Sequence, residues 1–329
     1  METADHEVLR TAVDWLTAGE PVYLATVAKT FGSSPRPPGS LAVLRADGRF
    51  AGSVSGGCME EDLVARLRAG RLPEKFPAVV AYGVTGEEAR RFGLPCGGKL
   101  ELVLERLESA AALQNILERI DARQQVVRHV CLDTGEASLH PASARGEFFY
   151  DGRHLHKLFG PGWRLLLIGA GQLSRFVAQM GQALDYEVIV CEPREELASL
   201  WQVDGTILDA GMPDDTVRVL ADARCAVLAL THDPRLDDMA LLEALASPAF
   251  YVGALGSHAN NDKRRARLAS LGVSCEHLAR LHGPVGLPIG SRTPAEIAVA
   301  VLAGVTAARH GIVLAAEVPD APVRLTADG

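Results

Sequence analysis

Two cysteines stand beside glycine pairs in mirror order. Gly56-Gly57-Cys58 opens the stretch GGCMEEDLV, and Cys96-Gly97-Gly98 closes the stretch LPCGG. Glycine pairs occur where the backbone takes a positive φ or passes close to another group, so each thiol is displayed at a turn. Met59, Glu60, Glu61 and Asp62 then open an apolar-periodic run through Leu63, Val64 and Leu67, which predicts a helix. Acids suit its first turn because a helix N-terminus carries partial positive charge. A thiolate at such a junction can act as nucleophile or ligand; the alternative is a small side chain buried in a tight corner. Two such thiols on one site would suit a soft metal ion or sulfur transfer, which makes Cys58 and Cys96 candidate soft-metal or sulfur ligands. Cys131, Cys191 and Cys225 fall in predicted strands and Cys275 lacks a glycine pair, so these four read as structural.

A second constellation is LLLIGAGQLSRFVAQMG. Gly169 and Gly171 follow a predicted strand and precede a predicted helix. Ser174 stands where the third glycine of a dinucleotide fingerprint falls, and Glu192 ends the next strand about twenty residues on. Gly169 makes the turn, Gly171 lets the backbone approach a phosphate, and the helix start offers it N–H donors. Glu192 can hold a ribose hydroxyl and disfavours a 2′-phosphate; the alternative is a scaffold that binds no dinucleotide. Asp209, Thr231, His232, Asp233, Gly253, Gly256 and Ser257 end successive strands, and ligands of open α/β sheets bind outside those ends. His232 can protonate or bind a phosphate or carbonyl group, while Thr231-His232-Asp233 also suits an ordinary polar turn. Before the last helix, Gly290-Ser291-Arg292-Thr293 combines backbone donors with Arg292 for an anion, or Thr293 simply caps. The run KRRAR at 263–267 reads as a solvated basic helix face.

The elements that position these residues fall into two rhythms, which predict an α/β protein with a small mixed α/β N-terminal domain followed by a Rossmann-like parallel-sheet domain. Over residues 1–153, short β-rich segments (PVYLATVAKT, LAVLRADGRFAGSV, AVVAYGV, KLELVLERL, QVVRHVCLD, GEFFYDGR) mix with amphipathic helices, and Asp47-Gly48 between apolar runs predicts a hairpin. HLHKLFGPG at 154–162 reads as a linker. Over 163–329, the continuous apolar runs RLLLIGAG, YEVIVCEP, GTILD, CAVLALTHD and FYVGALGS alternate with helical patterns, the mark of a parallel sheet buried on both faces. Thr293, Pro294 and Glu296 occupy the N-cap, first-turn and capping-box places of a final helix.

A chain of 329 residues suits two domains. A net charge of −8 argues against general nucleic-acid binding, and the apolar runs fall short of the roughly 20 residues that span a bilayer. The polar N-terminal stretch is unlike a signal peptide, so a cytoplasmic setting without membrane attachment is expected, with its six cysteines reduced.

Taken in order, GSSPRPPGSLAVL, FAGSVSGGCMEEDL, GLPCGGKLELVLE, IGAGQLS, LTHDPRLDD, YVGALGS and PVGLPIGSRTPAEIAVAV resemble the XdhC/CoxI family, over about residues 20 to 310. The resemblance implies an accessory protein rather than a stand-alone enzyme. It implies binding of the molybdenum cofactor, a molybdopterin that can carry a cytosine dinucleotide, protection and sulfuration of it, and delivery to a xanthine- or aldehyde-dehydrogenase-like molybdenum hydroxylase apoenzyme. It also implies a cysteine desulfurase as sulfur donor and a homodimer. Cys58 and Cys96 match the family's glycine-flanked cysteines, Gly169 and Gly171 its nucleotide turn, and Arg292 to Glu296 its last helix start. His258 follows YVGALGS where the family has arginine, so no phosphate contact carries over to that position. Two rival readings rest on fewer motifs. One is an NAD-dependent oxidoreductase using the glycine turn, Glu192 and His232; the other is a redox-sensing module that forms a Cys58–Cys96 disulfide.

Overall fold

The computed structural model describes residues 4–31, 36–83, 99–142, 146–231 and 233–312, with Cys58 described in its backbone only. The chain divides into two compact units, Glu2–Pro161 and Gly162–Gly329.

The N-terminal unit is built on antiparallel pairing. Strands β1 (Val22–Phe31), β2 (Leu41–Arg45), β3 (Phe50–Gly52), β4 (Ala78–Tyr82) and β5 (Lys99–Leu107) form a sheet in the order β3-β2-β1-β5-β4. The expected hairpin is β2–β3, with Val43 opposite Ala51. Alternation puts Ala25, Val27, Leu102 and Leu104 on one face, where α2 (Cys58–Arg68) covers them with Met59 and Leu63. The other face packs Leu24 and Val43 against α1 (Ala4–Thr17) and α3 (Ala111–Asp121), through Val8, Leu9 and Ile116.

A second antiparallel sheet, in the order β7-β6-β9-β8, comprises β6 (Val126–Cys131), β7 (Ala137–Pro141), β8 (Phe148–Tyr150) and β9 (His154–Phe159). The segment expected to be a linker is therefore largely a central strand. Leu155 and Phe159 point inward and are buried, and β9 pairs with both β6 and β8. The change between units falls instead at Pro161 and Gly162. Alongside Val130 and Leu155 against Val103, the two sheets are joined by a buried ion pair. Arg128 on β6 donates Nη1 to Glu105 Oε2 (3.0 Å) and Nη2 to Oε1 (2.7 Å) of β5.

The C-terminal unit has the expected parallel sheet. Strands β10 (Arg164–Ile168), β11 (Glu187–Cys191), β12 (Ile207–Asp209), β13 (Cys225–Ala229), β14 (Tyr251–Ala254) and β15 (Leu281–His282) lie in the order β12-β11-β10-β13-β14-β15. Counted within the unit this is 3-2-1-4-5-6, the doubly wound order whose direction reverses between its first and fourth strands. Leu165 and Leu167 face α4 (Gln172–Ala183) and α10 (Pro294–Arg309), while Leu166 and Ile168 face α6 (Pro213–Leu220) and α7 (Pro234–Ala246). Between these elements lie α5 (Glu195–Ala198), α8 (His258–Ser270) and α9 (Cys275–Ala279). No helix among the described residues is long and apolar enough to cross a membrane.

Removing one member of the Arg128–Glu105 pair leaves a buried charge without a partner. Arg128→Met should cost about 3–5 kcal/mol in urea unfolding at neutral pH, and Arg128→Met with Glu105→Leu should recover most of it. A loss below about 1 kcal/mol in the single variant would show that the pair does not hold the sheets.

Candidate functional site

The glycine-flanked cysteine loop is organised from beneath by a side chain that local reading assigned to the helix dipole. Glu60, in the first turn of α2, is fully buried. Its Oε1 accepts from the Val54 N–H (2.7 Å), the Ser55 N–H (3.0 Å) and Ser53 Oγ (2.9 Å), and its Oε2 accepts from the Gly57 N–H (3.0 Å) and the Ser55 hydroxyl. Ser53 Oγ takes the Gly56 N–H (2.9 Å), and Ser55 Oγ takes that of Met59 (3.1 Å). Closing the chain so tightly requires left-handed backbone at Gly56 (φ 91°) and Gly57 (φ 134°), which is why glycines precede the cysteine. Burial alone would raise the Glu60 carboxyl; the hydrogen bonds from Ser55 and Ser53 outweigh it and hold it at about 2. The amides of residues 54, 55, 56, 57 and 59 are thus spent on internal acceptors. α2 begins at Cys58, whose side chain lies outside the described residues, as do Cys96, Gly97 and Gly98.

In the C-terminal unit the glycine turn lies at the reversal point of the sheet. Gly169 has φ 102°, and a Cβ there would stand 2.7 Å from Thr231 Cγ2 at the end of β13, so the turn passes against the neighbouring strand end. Gly171, the N-cap of α4, has open space where its Cβ would be. A cavity of about 250 Å³ opens here, lined by Gly169, Gly171, Gln172, Arg194, Thr231 and Pro294 among others. It receives the start of α4 and, from α10, Pro294 in the first turn.

Glu192 is fully buried below this cavity and does not line it. Its Oε2 accepts from the Ala170 N–H (3.0 Å) and Arg194 Nη2 (2.8 Å), and its Oε1 from Arg194 Nε (2.7 Å) and the Arg194 N–H (3.1 Å). Burial pushes its carboxyl up, but Arg194 and the Ala170 amide pull it further down, so it stays ionised. Arg194, and not Glu192, is the side chain presented to the cavity. Buried and engaged in this way, Glu192 is not placed to meet a ribose hydroxyl, while a guanidinium beside a helix N-terminus is a group that can hold phosphate. Sequence reasoning passed over Arg194, although Glu192-Pro193-Arg194 places a cation two residues after the strand-ending acid.

The remaining predicted positions are mostly structural. Ser174 is fully buried on the inner side of α4, and its hydroxyl has no hydrogen-bond partner among the described residues. Asp233, Ser257 and Thr293 are the N-caps of α7, α8 and α10; they accept from the N–H groups of Arg235 (2.9 Å), Asn260 (3.3 Å) and Glu296 (3.3 Å). Glu296 in turn accepts from the Thr293 and Arg292 N–H groups, while the Arg292 side chain is exposed. His232 lies outside the described residues. The run 263–267 is not a purely solvated face. Arg264 is buried and donates to Asp237 Oδ2 (2.9 Å), Asn261 Oδ1 (2.7 Å) and the Leu255 carbonyl (2.9 Å). Arg265 reaches the Leu281 and Gly283 carbonyls, and Arg267 pairs with Asp238. Asp237, raised by burial against the pull of Thr231 and Arg264, also anchors the Thr231 hydroxyl (2.7 Å) under the cavity.

Two measurements test these assignments. Because native Glu60 titrates at about 2 rather than 4.5, its stabilisation is complete above about pH 4.5 and is lost as pH falls through about 2. Glu60→Gln, which turns an amide donor toward the loop's N–H groups, should therefore lose roughly 3 kcal/mol near neutral pH, with the gap to wild type closing below about pH 4. A gap independent of pH would rule out the carboxylate as its source. Separately, Gly169→Ala should cost more than about 2 kcal/mol from backbone strain and the Thr231 contact, whereas Gly171→Ala should leave the thermal midpoint nearly unchanged. Equal midpoints for the two variants would contradict the crowding at Gly169.

The comparisons with known proteins agree with this arrangement. Residues 165–305 match the XdhC Rossmann domain, and residues 15–83 match the XdhC and CoxI family. The molybdenum cofactor insertion chaperone PaoD of Escherichia coli (strain K12) is 30% identical over 312 residues, 93% of this chain and 90% of that protein. A probable xanthine dehydrogenase subunit from Bacillus subtilis (strain 168) is 24% identical, over 89% of this chain and 94% of that protein. The crystal structure of a xanthine dehydrogenase from Bacillus halodurans shares the fold, with a TM-score of 0.73 at 24% identity, covering 95% of this chain and 98% of that one. Matched in both units, and along nearly its whole length by PaoD, the chain belongs to the XdhC/CoxI family.

Proposed function

We propose that the chain is a cytoplasmic molybdenum cofactor insertion chaperone. It binds the molybdopterin cofactor, assists its sulfuration and passes it to a xanthine- or aldehyde-dehydrogenase-like molybdenum hydroxylase. The observation that carries this reading is the cavity at the reversal point of the Rossmann sheet. An open Gly171 amide turn, the N-terminus of α4 and a guanidinium held in place by Glu192 are arranged for a phosphate or pyrophosphate, the anionic end of the cofactor in its plain or cytosine dinucleotide form.

Among the described lining residues, Arg194 is the ionisable group, and the Thr231 hydroxyl is engaged by Asp237 and the Asp233 backbone. A guanidinium keeps its proton at physiological pH, so among the described residues this wall offers fixed positive charge for binding an anion. Similarity to PaoD, whose name denotes cofactor insertion, supports the same reading.

The roles divide by unit. Gly169, Gly171 and Arg194 hold the phosphate-bearing part, and Cys58 with Cys96 supplies thiolate to the metal or to the sulfur delivered by a cysteine desulfurase. The family resemblance assigns a homodimer to the working form.

Anaerobic titration with each form of the cofactor, read by molybdenum analysis and by fluorescence of the oxidised pterin, tests this. Wild type should bind stoichiometrically, with Arg194→Ala, Gly171→Ala and Cys58→Ala each weakening binding by at least about tenfold. Tight NAD binding by a wild-type chain that takes up no molybdenum would assign it to the oxidoreductases instead.

A further inference from the structure

Four of the ten histidines of the chain lie on the outer face of the second sheet of the N-terminal unit, between the two segments that match the family. Alternation sets this face. On β6 the even-numbered Val126, Arg128 and Val130 point inward, so His129 and Cys131 point out. On β9, Leu155 and Phe159 point inward, leaving His154 and His156 outward. In register, His156 is directly opposite His129, and His154 is opposite Cys131. On β7, Ser138 faces His129, and His140, two residues on and opposite Val127, shares its face.

The imidazoles cluster around His129. Its ring centroid is 4.4 Å from that of His156, 5.5 Å from His154 and 6.0 Å from His140. Two imidazoles sharing one ion through bonds of about 2.0–2.1 Å have centroids roughly 4.5–6 Å apart, so the spacing on the sheet is that of a shared ion. A second layer is in place. Asp151 Oδ2 lies 3.4 Å from His154 Nδ1, which leaves Nε2 as that ring's outward nitrogen, and the backbone N–H groups of Arg153 and His154 hold the Asp151 carboxyl down at about 2. Ser138 Oγ lies 2.9 Å from His140 Nε2. Glu136 and Asp151 are the acidic groups whose charge reaches His129, opposed by His154 and His140.

We propose that His129, His154 and His156 form a binding site for a divalent transition-metal ion of the zinc, nickel or copper type, with His140 or water as fourth ligand. Two donors at alternate positions of one strand and a third directly across the ladder give three nitrogens on one side of a rigid sheet, and neutral imidazole suits these ions. As the rings stand, no three such groups among the described residues meet at ligand distance. Binding an ion there requires the imidazoles to turn from these positions on the strands. The ion is distinct in chemistry from the proposed molybdenum cargo, since the donors are nitrogen rather than sulfur, and the inference does not depend on the carrier reading.

The test is Zn²⁺ and Co²⁺ titration of the metal-free full chain in a Cys58→Ser, Cys96→Ser background, which removes the thiol candidates. Zn²⁺ affinity is read by competition with a chromophoric chelator, and coordination by the visible absorption of Co²⁺. One equivalent should bind with a dissociation constant of about 1 μM or tighter. His129→Ala and His156→Ala should each weaken it by at least about tenfold with circular dichroism unchanged, while His310→Ala, in the other unit, has no effect. Sub-stoichiometric binding, or equal affinity in His129→Ala and its parent, would overturn the proposal.

Discussion

A carboxylate withdrawn from water must be surrounded by donors, and each unit of this chain builds its glycine turn around one such group. Glu60 gathers the amides of residues 54, 55 and 57 with two serine hydroxyls; Glu192 gathers the Ala170 amide and the whole fork of Arg194. Both are fully buried. An unpaired charge in either place would cost several kcal/mol, so the loop conformation and the ionised acid are mutually enforcing. The glycines supply backbone angles that other residues resist, and the acids select one conformation from the freedom that glycine brings.

The two acids have opposite consequences for a ligand. Glu60 and the two serines it holds use up the amides of residues 54 to 57 and 59, so an external anion finds few free donors there. Glu192 uses the amides of Ala170 and Arg194 and leaves the α4 N-terminus open, while fixing a guanidinium at its rim. Among the described lining residues the ionisable group is the Arg194 guanidinium, which suits holding an anion. Beneath the wall, Thr231, Asp237, Arg264 and Asn261 form a buried polar chain that ties the ends of β13 and β14 to α8. These hydrogen bonds help to keep the switch-point crevice in shape.

Legibility in the sequence followed the range of the interactions. Continuous apolar runs such as LLLI and VLAL announced a parallel sheet, and Thr293-Pro294-Ala295-Glu296 announced the last helix, because periodicity and capping are local. Asp233, Ser257 and Thr293 were placed correctly at strand ends or helix starts, but their side chains are occupied with capping. The role of Arg194 is hidden in the sequence because it depends on Glu192 being buried under the turn, where both of its oxygens accept from the guanidinium. Arg264 sits in a run of like charges that looks solvated in one dimension, and only the fold brings Asp237 to it. The strand β9 reads as a linker because it runs into Gly160-Pro161-Gly162, and His154-Leu155-His156-Lys157 lacks a strongly apolar pattern to oppose that signal; it needs β6 and β8 on either side to become a strand.

That last error and the histidine face share a cause. A strand with one buried face carries its information at every second residue, and here the inward positions Leu155 and Phe159 are sparse while the outward ones are histidine. Burial of Arg128 against Glu105 anchors the inner side of β6 with a charge pair, which also departs from an apolar alternation. With the inner face fixed by packing and by that pair, the identity of the outer residues is free of any demand from the core. The rings of His156, His154 and His140 stand 4.4 to 6.0 Å from that of His129 on this outer face. Ligand binding is the physical role that such a face can perform and that a generic solvated sheet surface does not require.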